Sequence, residues 1–129
     1  MYGTALVEGT CEPFGWSVSI DVYDCDVQRL ESADVIRAFA VELCDEVLVM
    51  KRYGDPIVEW FGLAHPKTAG YSLVQLIETS SVVAHFSGDR RSAHLDVFSC
   101  APYDVDVVER FCCEFFGGRR SVAVPVLRR

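Results

Sequence analysis

Residues 81–97, with the sequence SVVAHFSGDRRSAHLDV, decide the fold of this chain. Two apolar runs with strand character, residues 81–86 and 93–97, flank residues 87–91, where a glycine and charged side chains are typical of a tight turn. Strands joined by so short a turn must run antiparallel, because a parallel pair needs a long crossover connection. The stretch therefore predicts a β-hairpin.

Hydrophobic periodicity predicts the other elements. Alternation of apolar and polar residues predicts strands at 16–22, 93–97 and 122–126, and short, largely apolar runs predict strands at 57–63, 71–77 and 81–86. Helical spacing predicts two helices, one capped by Ser32 and running through Val47, the other capped by Asp104 and ending at Gly117. The first fourteen residues have no clear period and are expected to lead into the domain. This order predicts one α+β domain, residues 1–129, in which two helices cover one face of a mainly antiparallel sheet.

Composition limits the classes of function. The chain has 129 residues, of which 50% are hydrophobic, and its net charge is −7. An acidic chain disfavours a nucleic-acid surface, which needs a basic face. No apolar run has the length of a membrane span, and the N-terminus lacks the pattern of a secretion signal. We therefore expect a soluble, cytoplasmic protein.

Six cysteines are present, and none forms a C-x-x-C pair. Without a secretory signal, we expect all six to be reduced thiols, most of them buried as small hydrophobic residues. Neither a metal site nor a glycine-rich phosphate loop is predicted.

The hairpin brings polar side chains together. If its strands pair symmetrically, His85 faces His94, and Ser80 lies beside Ser99 and Cys100. Five residues of strand separate His85 from Ser80, about 16 Å, so His85 would serve Ser80 only across a symmetric interface with a second chain. From the pattern alone, an ordinary reading stays open, in which the serine lies in a polar turn, the histidine on the surface and the thiol in the core.

The spacing of four residues resembles that of the small prokaryotic S-adenosylmethionine decarboxylase proenzymes. That family has a serine, a self-cleaving serine eight residues later, a histidine five further and a cysteine twenty past the cleavage site. Ser72, Ser80, His85 and Cys100 stand at these places without a gap. Residues 15–26, GWSVSIDVYDCD, are similar to the first strand of the family.

A second segment supports the resemblance. Residues 96–100, DVFSC, are similar to the family's Asp-Leu-Phe-Thr-Cys. The similarity extends from about Gly15 to the C-terminus and is strongest from Ser72 to Cys100.

The resemblance implies self-processing. The Ser80 hydroxyl would attack the carbonyl of Thr79, and elimination would leave a β chain, 1–79, and an α chain, 80–129, that begins with a pyruvoyl cofactor. Ser72 and His85 match the residues that assist processing, with His85 as the base for elimination. Cys100 matches the proton donor. The pyruvoyl group would bind the substrate amine as a Schiff base and accept electrons as CO₂ leaves.

The resemblance also implies a substrate and an assembly. The substrate would be S-adenosylmethionine, decarboxylated to supply aminopropyl groups for spermidine and other polyamines. Asp89 stands where the family has a glutamate that binds the ribose hydroxyls, and Trp60 or Phe61 would replace the aromatic residue that stacks on adenine. We expect a homodimer with two composite sites, formed by two sheets stacked face to face into four layers.

Departures from the family pattern leave two alternatives. The family has glutamate before the cleaved serine and histidine after it, whereas this chain has Thr79 and Ser81. One alternative is a pyruvoyl decarboxylase of the same family that acts on another cationic amino acid, ornithine or arginine. The other is a regulatory homologue that folds and dimerises without cleavage.

Overall fold

A computed structural model describes residues 12–62 and 64–129 and contains one antiparallel sheet. Six strands form it: β1 (Gly15–Tyr23), β2 (Ile57–Phe61), β3 (Gly70–Ile77), β4 (Ser80–Ser87), β5 (Ser92–Ser99) and β6 (Arg120–Arg128). Their spatial order is β2-β3-β4-β5-β1-β6. The predicted α+β class and the predicted hairpin, β4–β5, are both confirmed.

The helices begin where the sequence provides caps. Helix α2 (Ala33–Glu42) starts after Ser32, whose hydroxyl accepts a hydrogen bond from the Val35 amide at 3.2 Å. Helix α3 (Val105–Phe115) starts after Asp104, whose carboxylate accepts from the Asp106 amide at 3.0 Å. Both caps are as predicted.

Two helical features were not predicted. A single turn, α1 (Val27–Leu30), follows the first strand, and its four residues are too few to show a helical period. Helix α2 continues as a π-helical turn, Leu43–Leu48, that ends at Val49 in a left-handed conformation with φ of 53°. The layer therefore has three helices in the part of the chain that the structure describes.

The core lies between the helices and one face of the sheet. Alternate strand residues such as Ile20 and Leu95 are buried and belong to the same apolar cluster as the helix residue Phe39. Phe39 packs on Phe116 with ring centroids 4.7 Å apart. We call the face of the sheet that packs against the helices the helix side.

No helix covers the opposite face in the described part of the chain, and we call it the free face. On the two edge strands it carries apolar side chains that are about half exposed, among them Phe61, Val122, Val124 and Val126. On the central strands it carries His85, His94 and Asp96. This free face is the surface through which the sequence predicts dimerisation.

Some expectations concern residues outside the described ranges. The greater part of the predicted lead-in, including Cys11, is among them. Strand β2 ends at Phe61, and Leu63, the predicted end, also lies outside. Over residues 12–62 and 64–129, no helix is long and apolar enough to cross a membrane.

Candidate functional site

The turn between β3 and β4 holds a strained residue. Ile77 pairs with Ser80, so Glu78 and Thr79 form the connection. Thr79 has φ of 59°, in the left-handed region that favours glycine or asparagine. A β-branched residue in this conformation costs about 1–3 kcal/mol and persists only where its surroundings fix it. The Thr79 hydroxyl donates to the Glu78 carbonyl at 2.6 Å, which offsets part of this cost.

Ser80 directly follows this strained residue. Its side chain points to the helix side, as do Val82 and Ala84 on the same strand. The Ser80 hydroxyl donates to Oγ of Ser99 at 3.0 Å. Ser99 is fully buried and also accepts from the Ala101 amide at 2.9 Å. The nucleophilic atom of the predicted cleavage reaction is therefore held by a buried hydroxyl.

The hairpin has the register that the sequence predicted. Ser80 pairs with Ser99, and His85 pairs with His94. Cys100, the residue after Ser99, is partly exposed. Within residues 12–62 and 64–129, no hydrogen bond joins the Cys100 thiol to Ser80. Cys100 is therefore near Ser80 because it directly follows Ser99, the cross-strand partner of Ser80.

Ser72 and His85 form a second cluster on the free face. They pair across β3 and β4, and Oγ of Ser72 lies 3.0 Å from Nδ1 of His85. In the described part of the chain, Nε2 of His85 has no hydrogen-bond partner. The sequence assigned both residues to processing but did not predict this contact, although a register derived for β3 and β4 would have indicated it.

The two clusters lie on opposite faces of one sheet. Ser80 points to the helix side, whereas His85 is exposed on the free face, five residues further along β4. The imidazole of one chain therefore cannot reach the Ser80 hydroxyl of the same chain. Strand geometry thus agrees with the prediction that a second chain is needed.

A further histidine is fixed beside His85. Nδ1 of His94 lies 2.6 Å from the Asp21 carboxylate, and Nε2 lies 2.9 Å from the Ser92 hydroxyl. In a neutral imidazole, an N–H at Nδ1 would donate to the carboxylate and leave Nε2 to accept from Ser92. His85 and His94 both line a cavity of about 490 Å³ near the closed end of the hairpin.

The residues predicted to bind substrate are dispersed. Asp89 lies in the closed turn of the hairpin, with its carboxylate 3.8 Å from Arg90. Phe61 lies on the free face, as His85 does, and is 50% exposed. Trp60 points the other way and packs edge-on against Tyr71, with centroids 5.1 Å apart. One chain therefore does not bring these three side chains together.

The thiols divide into buried and accessible groups. Burial raises the pKa of Cys25 and of Cys44 to about 11 and raises the pKa of Cys112 still further. The five cysteines in the described ranges form no disulfide with one another. Those ranges hold no cluster of three or more potential metal ligands.

The architecture has a counterpart of known structure. The chain is similar to a crystal structure of the adenosylmethionine decarboxylase from Aquifex aeolicus VF5, with a TM-score of 0.71 and 16% identity over 92% of each chain. The fold is therefore that of an adenosylmethionine decarboxylase-like two-layer sandwich. No curated protein sequence matches the chain.

A family model supplies the particular assignment. The model described as S-adenosylmethionine decarboxylase matches residues 16–129. The chain belongs to the S-adenosylmethionine decarboxylase family. The resemblance noted in the sequence is thereby confirmed, and family membership indicates a decarboxylase.

Proposed function

We propose that the chain is the precursor of a pyruvoyl-dependent decarboxylase and cleaves itself between Thr79 and Ser80. The observation that carries this proposal is the left-handed backbone of Thr79, with φ of 59°, immediately before the hydrogen-bonded hydroxyl of Ser80. Strained backbone of this kind concentrates at functional sites. Attack on the Thr79 carbonyl would relieve the strain, because it breaks the peptide bond that the turn constrains.

The cleavage needs no co-reactant other than water. Oγ of Ser80 bonds to the carbonyl carbon of Thr79, the C–N bond breaks, and the freed nitrogen takes up the hydroxyl proton. A base then removes the Cα proton of Ser80, and the Cβ–O bond breaks, which releases the Thr79 carboxylate. The remaining dehydroalanine tautomerises to an imine, and water hydrolyses it to a pyruvoyl group and ammonia.

The surroundings of Ser80 fit such a group. The residue is only partly exposed, and the buried Ser99 hydroxyl is within hydrogen-bond distance of its side chain. Ser99 is the residue that would hold the new terminus. A pyruvoyl ketone supplies the electron sink for loss of CO₂ from an α-amino acid.

The assisting base would come from a second copy of the chain. His85 lies on the free face, and Ser72 orients its ring through the 3.0 Å contact at Nδ1. With two free faces stacked, the partner's His85 would approach the backbone of Ser80 rather than its hydroxyl. This direction of approach suits a base that removes the Cα proton.

The apolar free face supports the same assembly. Val122, Val124 and Val126 are 48%, 56% and 47% exposed on one edge strand, and Phe61 is 50% exposed on the other. A sheet face of this kind is buried when two sheets stack. We therefore propose a homodimer in which each site combines Ser80 of one chain with Ser72 and His85 of the other.

Cys100 would return a proton to the substrate carbon after CO₂ leaves. It directly follows Ser99, the cross-strand partner of Ser80. It is also more accessible than Cys25, Cys44 and Cys112, all of which are buried. A positioned thiol can give a proton as a general acid.

S-Adenosylmethionine is the substrate that family membership favours, in a cytoplasmic enzyme of polyamine synthesis. Asp89 would bind the ribose, and Phe61 on the free face is better oriented than Trp60 to stack on adenine. About 23 Å of strand separates the two ends of β4, so Asp89 and Ser80 of one chain cannot bind the same substrate. Asp89 would therefore serve the site on the partner chain.

One observation favours a second candidate, decarboxylation of ornithine or arginine. Trp60 packs on Tyr71 on the side opposite to His85, so an adenine platform is reduced to Phe61 alone. A smaller cationic amino acid needs no such platform but still needs Ser80 and Cys100.

Denaturing mass spectrometry tests self-cleavage. Purified protein is expected to give two fragments, residues 1–79 and 80–129, with the second blocked by a pyruvoyl group. Ser80→Ala should remain intact, whereas the control Ser81→Ala, changed at the next residue on the opposite face, should still be cut. An intact wild-type chain that stays intact on incubation would identify a non-cleaving regulatory homologue and refute the proposal.

Release of labelled CO₂ identifies the substrate. The cleaved protein is incubated separately with S-adenosylmethionine, ornithine and arginine, each labelled at the carboxyl carbon. Release from S-adenosylmethionine supports the first assignment. Release from ornithine or arginine alone contradicts it and supports the second.

A further inference from the structure

A short segment between the helix layer and β2 covers the end of β3 next to the cleavage site. We call residues 49–54 the strap. The Lys51 carbonyl accepts from the Glu78 amide at 3.1 Å, and the Tyr53 amide donates to the Leu76 carbonyl at 2.9 Å. Arg52 forms an antiparallel bridge with Ile77. The strap thus pairs with the last residues before the strained turn, which β4 holds from the other side.

The two ends of the strap adopt left-handed backbone conformations. Val49 has φ of 53° and Gly54 has φ of 76°. Glycine adopts this region without cost, but valine does not. Val49 is also 76% exposed, so its own side-chain packing does not explain the conformation. Val49 ends the π-helical turn, and backbone hydrogen bonds to the Cys44 carbonyl, among them that from the Met50 amide at 2.9 Å, hold the chain in this conformation.

Gln75 contacts the strap from the helix side of the sheet. Its side chain is fully buried on the helix side, where its neighbours along β3, Leu73 and Ile77, are apolar. Nε2 donates to the Gly54 carbonyl at 3.2 Å and to the Leu76 carbonyl at 2.8 Å. Both partners are acceptors, so the nitrogen must face them, and this fixes the orientation of the amide.

Retaining this glutamine has a cost for stability. Its Oε1 is buried and has no hydrogen-bond partner within the part of the chain that the structure describes. A buried unsatisfied acceptor is unfavourable, and an apolar side chain would avoid the penalty. The strap carbonyl that Gln75 binds belongs to Gly54, which is an exposed residue. An apolar side chain here would remove the penalty at Oε1 but also the hydrogen bond that attaches the strap at Gly54.

The strap also contacts the nucleophile through one intermediate. The Ser99 hydroxyl donates to Sδ of Met50 at 3.4 Å, and it accepts from the Ser80 hydroxyl at 3.0 Å. Because Ser99 donates to the strap, its lone pairs face Ser80 and the Ala101 amide. The direction of the Ser80 hydroxyl thus depends on where Met50 lies.

We propose that Gln75 is a positioning residue for self-cleavage: it anchors the strap, and the strap holds the Thr79–Ser80 peptide in its reactive conformation. The residues N-terminal to the bond are fixed through Lys51 and Tyr53, and the attacking hydroxyl is oriented through Met50 and Ser99. This inference rests on the proposed self-cleavage and assigns a role in it to residues that none of the family motifs quoted above contains.

Gln75→Leu separates positioning from stability. The first-order rate constant of cleavage, followed by mass spectrometry, is expected to fall at least tenfold. Thermal stability should change by no more than about 4 °C, because Leu76 keeps the Tyr53 amide as donor and the substitution also removes the buried, unsatisfied Oε1. A purely structural role would instead lower the rate and the melting temperature together. The matched control is Gln28→Leu, at the other glutamine of the chain, which is exposed. This control should change neither the cleavage rate nor the melting temperature.

Hydrogen exchange reports directly on the strap. In a Ser80→Ala background, Gln75→Leu should speed exchange of the Tyr53 and Glu78 amides and leave amides between β1 and β5 unchanged. If Gln75→Leu does not fold, Gln75→Met has similar length, no N–H groups and the same expected rate loss. Cleavage of these variants at the wild-type rate overturns the inference while the proposed function stands. A wild-type chain that is never cut overturns both.

Discussion

The hydroxyl of Ser72 lies 3.0 Å from Nδ1 of His85 on the free face of the sheet. The Ser80 hydroxyl, which the same family pattern associates with these residues, points to the opposite side of the sheet and binds Ser99. In the arrangement that we propose, a single chain therefore holds two halves of different sites. Two copies stacked through their free faces would complete both.

Complementation between inactive chains tests this arrangement. Ser80→Ala lacks the nucleophile and His85→Ala lacks the base, so each homodimer should remain uncut. When the two are co-expressed, a mixed dimer contains one complete site. With random pairing, about half of the His85→Ala chains should be cleaved. Mass spectrometry distinguishes the variants, and cleavage of His85→Ala expressed alone would contradict a base supplied in trans.

Disrupting the free face should have the same effect on cleavage without changing the binding residues. Val124 is 56% exposed there, and Val124→Glu is expected to give a folded monomer that remains uncut, because a buried unpaired carboxylate opposes stacking. Analytical ultracentrifugation measures the mass. Val107→Glu, at a 38% exposed valine of α3, is the control and should remain dimeric. A monomeric variant that still cleaves would refute composite sites.

The sequence predicted the sheet and the hairpin register because both depend on local signals. Period-two alternation or a short apolar run marks each strand, and the turn before Ser92 fixes the pairing of His85 with His94. The strain at Thr79 could not be predicted, because a β-branched residue carries no signal for positive φ. Nor could the contact of Gln75 with the Gly54 carbonyl, since it depends on the three-dimensional path of residues 49–54.

Relief of the strain at Thr79 should separate stability from reactivity. In a Ser80→Ala background, Thr79→Gly should raise the free energy of unfolding by about 1 kcal/mol, since glycine adopts positive φ without steric cost. In the cleaving chain, the same change should slow cleavage. Urea denaturation measures the first effect. Thr68→Gly, at a turn position without positive φ, should not stabilise the protein, and equal stabilisation by both would exclude strain as the cause.

Cys100 should matter for decarboxylation and not for processing. Cys100→Ala is expected to be cut normally, since the thiol has no hydrogen bond to Ser80 in the described ranges. Loss of a positioned proton donor should lower kcat by about a hundredfold. CO₂ release from the cleaved protein gives this value. Cys113→Ala, at another partly exposed thiol, serves as the control, and unchanged turnover in Cys100→Ala would eliminate the proposed donor.

Alkaline pH should destabilise the fold through its buried thiols. Burial raises the pKa of Cys25 and Cys44 from 9.0 to about 11. Between these values the unfolded chain has lost protons that the folded chain retains, so the free energy of unfolding falls as pH rises. Below pH 9 both states hold the protons, and the stability is unaffected.

Comparison with a variant isolates the contribution of one thiol. At pH 10 each of these two cysteines should account for roughly 1 kcal/mol of lost stability. Urea denaturation of the wild type and of Cys44→Ala at pH 8 and pH 10 measures it, because other titrating groups cancel in the difference. Cys44→Ala should lose less stability than the wild type over this range. Equal losses in the two proteins would show that Cys44 ionises in the folded state as readily as in the unfolded chain.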